Sequence, residues 1–165
     1  MHKNLVIQKH VLERARSDEE YLYEILSIYD PVWYAESQKF LENFSDDQIA
    51  LFIYGTLHGQ VMNGGFLQLI FNGYAPYVFA SPLASTLRAW GASSTADLID
   101  AIADVCLQVD RSLRDVDKSN LESFTNLYTQ YPEFSNYDNA FCENDGMKEV
   151  KAYVSENLAV FIMVE

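Results

Sequence analysis

Residues 45–73 read SDDQIALFIYGTLHGQVMNGGFLQLIFNG, and this stretch decides the fold class. Ser45-Asp46-Asp47-Gln48 has the spacing of a capping box, in which a hydroxyl accepts a backbone N–H three residues on and an amide side chain reaches back. Behind it Ile49, Phe52, Ile53, Leu57 and Val61 recur at helical spacing. Asn63-Gly64-Gly65 ends that helix. A short second helix runs from Phe66 to Phe71 and stops at Asn72-Gly73, which suits a left-handed cap. The stretch is a helix, a corner and a helix.

Working outward, the same period continues on both sides. Ser17 followed by Asp18, Glu19 and Glu20 opens a helix carrying Tyr21, Leu22, Ile25 and Ile28, with acids at the positive end of the dipole. Pro31 breaks or kinks it, and another helix continues through Trp33, Phe40 and Leu41. Downstream, Ser81-Pro82 starts a helix that Gly91 closes. Ser94 caps a long helix from Thr95 to Val116, with Leu98, Ile102, Val105, Val109 and Leu113 as its apolar stripe. Further helices fill Leu121 to Tyr131, Asn139 to Asn144 and Met147 to Phe161, and Ala159 to Val164 finishes as helix or as a short extended piece. No strand pair, internal repeat or linker is evident. The expected fold is all-α, a single acidic domain over residues 1–165, built as a bundle of about eight to ten short and medium helices.

The chain has 165 residues, enough for one good core. With 49% hydrophobic and 14% aromatic residues it is no acidic disordered tail. No apolar run of signal-peptide or membrane-spanning length is present, so a cytoplasmic location is expected. Two cysteines are too few for a disulfide scaffold, and Cys106 falls on the apolar side of a helix, as a buried free thiol would.

The charge is unevenly distributed. Twenty-four Asp and Glu face eleven Lys and Arg, a formal net charge of -13. No basic residue lies between Arg16 and Lys39, between Arg88 and Arg111, or between Lys118 and Lys148, and each gap holds several carboxylates. Such a surface projects a field that repels nucleic acid and membranes and attracts what binds them. Asp97, Asp100 and Asp104 recur at spacings of three and four on one helix, so residues four apart lie about 6 Å apart along its axis. That is comparable to the separation of phosphates along a DNA strand. Asp18, Glu19, Glu20 and Glu24 form a second cluster, and Asp46 with Asp47 a third. Helix-dipole preference and solubility account for the acids of the first turns without any partner. Asp100 and Asp104 lie beyond the first turn.

Catalytic and metal motifs are absent. His2, His10 and His58 are scattered, and there is no zinc, EF-hand, nucleophile-elbow or P-loop pattern. No enzyme activity, metal or cofactor is expected. The corner admits two readings. One is a small polar pocket lined by His58, Asn63, Gln68 and Asn72. The other is a tight turn with Phe66 as apolar plug and the amides satisfying helix ends.

The segment Gly55 to Gly73, with Asn63-Gly64-Gly65-Phe66-x-Gln68 and Phe71-Asn72, resembles the signature of a bacterial all-α family typified by a nineteen-kilodalton DNA-mimic protein. The resemblance implies a dimeric helical protein whose carboxylates stand in for DNA phosphates. They would occupy the DNA-binding site of a partner such as a helix-turn-helix repressor. The glycine motif goes with the family's fold, while mimicry needs the acidic surface as well. The acidic positions are read from charge and helix faces alone.

The resulting expectation is a DNA mimic that blocks a transcription regulator or other DNA-binding protein. The contacts would come from Asp18, Glu19, Glu20, Glu24, Asp46, Asp47, Asp97, Asp100 and Asp104. It would bind neither nucleic acid nor membranes directly, and would form a homodimer, with Leu158 to Val164 as one candidate surface. The alternatives are an acidic immunity or anti-restriction inhibitor of a nuclease or toxin, and a small-molecule-binding domain using the Asn63-Gly64-Gly65-Phe66 corner.

Overall fold

The computed structural model describes residues 5–33, 42–119 and 121–165. The chain is predominantly helical, as expected, and packs as two compact units. One comprises the described residues of Met1–Gly55 together with Met147–Glu165; the other is Thr56–Gly146.

In the first unit the capping signals act as the sequence predicts. Helix α1 spans Lys9–Arg14 and α2 spans Asp18–Ser27. The hydroxyl of Ser17 accepts the Glu20 N–H at 3.0 Å, and the Glu20 carboxylate accepts the Arg16 N–H at 2.6 Å. Leu22, Ile25 and Leu26 of α2 are buried against α10 (Met147–Glu156), which contributes Val150 and Val154. Residues 30–33 are helical beyond Pro31; the Phe40 and Leu41 part of that expected helix lies outside the described residues.

Helix α3 spans Asp46–Phe71, and its capping box closes. Ser45 Oγ accepts the Gln48 N–H at 3.2 Å while Gln48 Oε1 accepts the Ser45 N–H at 3.0 Å. Gln48 does more than cap. Its Nε2 donates to the Phe161 carbonyl at 3.0 Å, the oxygen that also accepts the Tyr29 hydroxyl at 2.8 Å. Phe161 ends α11, Leu158–Phe161.

The expected absence of a strand pair does not hold. Strand β1, Val6–Ile7, pairs in parallel with β2, Met163–Val164, in the register Val6 with Met163 and Ile7 with Val164. Two residues per strand are too few to show alternation, and the partners are separated by most of the chain.

In the second unit α3 continues to its kink. Gly64 (φ -152°, ψ 18°) and Gly65 (φ 78°, ψ 179°) interrupt the helix, which resumes at Phe66. It ends at Gly73 (φ 84°), where the Tyr74 N–H reaches back to the Leu69 carbonyl at 3.1 Å in a Schellman-type closure. Helix α4, Ala75–Phe79, has no counterpart in the expectation, because it is a single turn containing a proline. Helix α5 spans Leu83–Ala89, so Pro82 sits at its N-cap rather than inside it.

The long helix α6 spans Ser93–Ser112 with Ala92, not Ser94, at the N-cap. Its buried stripe is Thr95, Ala96, Ile99, Ile102, Cys106 and Val109; Leu98 and Val105 lie half-buried at its border. It packs against α4, α5 and α9 (Phe134–Glu143), the last beginning five residues earlier than its sequence signal. Between α6 and α9 come α7, Leu121–Thr125, and α8, Leu127–Gln130. Among the described residues no helix is long and apolar enough to cross a membrane.

Candidate interaction surface

The acidic residues separate by environment. On α2, Asp18 lies 3.7 Å from Lys151 Nζ, whose ammonium also faces the Tyr21 ring at 5.2 Å. Glu20 is engaged at the helix start, Glu19 is exposed and Glu24 is half-buried. Asp46 is exposed and Asp47 half-buried in the first turn of α3. Local capping and ion pairing thus explain much of these two clusters.

Helix α6 is different. Asp97, Asp100 and Asp104 all lie on its exposed face, with Ile99, Ile102 and Cys106 buried on the other. From Asp97 to Asp104 the row covers about 10 Å of helix axis. One feature of this row is not legible in the spacing. Arg88, from α5, places Nη2 at 2.7 Å from Asp97 and 2.9 Å from Asp100, and these hydrogen bonds hold its guanidinium above its ordinary pKa. The three side chains remain largely exposed, so the contact fixes geometry more than it adds stability. Among the described residues Asp104 makes no ion pair.

Between Gln48 and Ala96 there is no acidic residue, and Arg88 is the one charged side chain. The corner lies in this uncharged stretch. Phe66 is fully buried, with its ring edge-on to Phe141 at 5.7 Å, so the plug reading holds. The helix restart at Phe66 is capped from a distance: Asp138 Oδ1 accepts the Phe66 N–H at 2.8 Å, and Oδ2 accepts the Tyr128 hydroxyl at 2.7 Å. A side chain at Gly65 would run into that hydroxyl and carboxylate.

The corner amides do not satisfy helix ends, as one reading has it; they bond to one another. Asn63 donates to Gln68 Oε1 at 3.1 Å, while Gln68 and Asn72 both donate to Gln60 Oε1, at 3.1 and 2.8 Å. His58 is not with them. Five residues along a helix is about 140° around its axis, and His58 points inward, 3.3 Å from Asp145. Cys106 is buried, and burial pushes its thiol up, which suppresses the thiolate a nucleophile needs. Among the described residues no group of His, Cys, Asp and Glu could hold a metal ion.

The family model described as DMP19-like protein matches residues 42–157, which span the capping box, the glycine corner, the α6 row and Asp138. The chain belongs to the DMP19-like family. It is also similar to the DNA mimic protein DMP19 of Neisseria meningitidis serogroup B (strain ATCC BAA-335 / MC58), at 32% identity over 122 residues. That match covers 74% of this chain and 73% of the relative. In this DMP19-like chain the glycine corner and the α6 row are built from different side chains, so each has its own physical test.

Proposed function

We propose that this protein is a non-enzymatic DNA mimic of the cytoplasm, which binds the DNA-binding surface of a transcription regulator and competes with DNA. The observation that carries the reading is the exposed row Asp97, Asp100 and Asp104 on α6, beyond what helix capping requires, in a chain of net charge -13. A relative named as a DNA mimic supports it. The favoured target is a dimeric helix-turn-helix repressor, whose DNA-binding surface carries the cations that meet phosphates in DNA. Asp18, Glu19, Glu20, Glu24, Asp46 and Asp47 are proposed as further contacts.

A homodimer would match the two-fold symmetry of such a target. Val160, Met163 and Val164 are exposed apolar side chains beside the β1–β2 pair and suit a dimer surface there. Binding releases the counterions of the partner's cations, so affinity should fall steeply with salt.

The test is capture from bacterial lysate on immobilised protein, with elution by duplex DNA and, separately, by salt. DNA-binding regulators released by both agents support the reading. Retention of a nuclease or toxin that duplex DNA does not displace would replace it with an immunity-type role. Failure to retain any basic protein at low salt would leave the acidity as a solubility feature.

A further inference from the structure

The mutual hydrogen bonds of the corner amides leave them facing a cleft of about 450 Å³, lined among others by Asn63, Gln68, Asn72, Phe71, Phe124 and Lys118. That volume lies within the range of roughly 300–1,000 Å³ typical of small-molecule sites. Its walls are of three chemical kinds. Phe71 and Phe124 form an aromatic side, ring centroids 5.4 Å apart and tilted by 59°. Lys118 brings an ammonium to that side, 5.9 Å from the Phe71 centroid.

The amides form the third wall, and each holds the next in orientation. Every Asn or Gln side chain has two donor hydrogens and two acceptor lone pairs. The internal bonds of Asn63 and Asn72 use one donor each, so donor and acceptor capacity remains. Ser119, also in the lining, gives its hydroxyl proton to Asp117 at 2.7 Å, which leaves its oxygen as an acceptor.

We infer that this cleft binds a nucleoside monophosphate. Side-chain amides pair with the donor and acceptor edge of a nucleobase, as Asn and Gln do with adenine. Aromatic rings supply a surface on which a base stacks. A lysine ammonium meets a phosphate as a point charge. A longer nucleic acid brings many phosphates into the field of a chain at -13 and is repelled, whereas a mononucleotide places its phosphate on one local cation. The inference is independent of the DNA-mimic reading, because it uses neither the α6 row nor a protein partner.

The experiment is a two-dimensional NMR titration of the full chain with each of the four common nucleoside monophosphates. Inorganic phosphate, the free nucleosides and a short single-stranded oligonucleotide serve as separate probes. The expected result is saturable shifts of the Asn63, Gln68 and Asn72 side-chain amides with at least one nucleotide. The exposed substitution Lys118→Gln should weaken binding about tenfold or more, the scale of one charged hydrogen bond, and leave the rest of the spectrum in place. The inference is overturned if no nucleotide saturates, if Lys118→Gln binds equally well, or if inorganic phosphate reproduces the response. Tighter binding of the oligonucleotide than of the mononucleotide also overturns it.

Discussion

The backbone N–H of Phe66 donates to Oδ1 of Asp138 at 2.8 Å, across 72 residues of sequence. A carboxylate from α9 therefore caps the helix that restarts after Gly64-Gly65. The other carboxylate oxygen takes the Tyr128 hydroxyl, which also lies 3.0 Å from the Gly64 carbonyl. Gly65 is required because Tyr128 and Asp138 fill the space where its side chain would go, while at Gly64 the Gln68 side chain occupies that space.

Gly65→Val should therefore destabilise the protein by about 2–4 kcal/mol, combining backbone strain at positive φ with overpacking. Urea denaturation followed by circular dichroism measures this. A stability equal to that of the parent chain would mean the corner is loosely packed and the family motif needs another explanation.

Asp138→Ala should cost about 2–4 kcal/mol, because it strands the Phe66 N–H and removes the acceptor of the Tyr128 hydroxyl. Asp138→Asn should cost clearly less. Its Oδ1 still accepts from Phe66, and its Nδ2 can donate to Tyr128 while that hydroxyl turns to the Gly64 carbonyl. Equal losses in the two variants would argue that charge, rather than hydrogen-bond count, holds the corner.

The α6 row and Arg88 should respond in opposite directions. The triple substitution of Asp97, Asp100 and Asp104 to Asn should keep the melting temperature and lower both affinity for a captured regulator and its salt dependence. Arg88→Ala, which uncovers two of the same carboxylates, should raise affinity severalfold and steepen the salt slope. Calorimetric titration at several salt concentrations reads both. Unchanged binding in both variants would remove α6 from the interface.

Stability should decline at alkaline pH. Burial pushes the Tyr29 and Tyr128 hydroxyls and the Cys106 thiol above their ordinary values of 10.0 and 9.0. Each keeps its proton in the folded protein where the unfolded chain releases it. Their contribution is complete below pH 9 and is lost progressively as pH rises through and beyond these values. Denaturation midpoints at pH 8 and at about pH 10.5 test the sign; an equal or higher midpoint at the upper pH would contradict it.

Much of the helical frame was legible because its ends are written in local chemistry. Ser17, the Ser45–Gln48 box, Gly73 and Gly91 all mark boundaries where the structure has them. The missed features are those whose partner is remote. β1 and β2 are too short to show a period, and α4 is one turn. Gln48 looks like a cap in sequence, and its second bond to Phe161 needs the fold. Arg88 reads as the border of a cation-free gap until α5 lies beside α6. Asp138 has no local signal at all. The corner cleft was partly legible: Asn63, Gln68 and Asn72 line it, His58 does not, and Lys118 is brought there by a distant segment.

The segment from Gln48 to Ala96, with Arg88 as its one charge, keeps most of the corner apart from the acidic surface, with Asp138 and Arg88 as the two crossings. Apart from Asp138, which caps the corner, a surface carboxylate can be added, lost or reversed outside that segment without touching the corner's hydrogen bonds. If the proposed reading holds, descendants of one scaffold can drift from one basic partner to another by single codon changes that leave the corner intact.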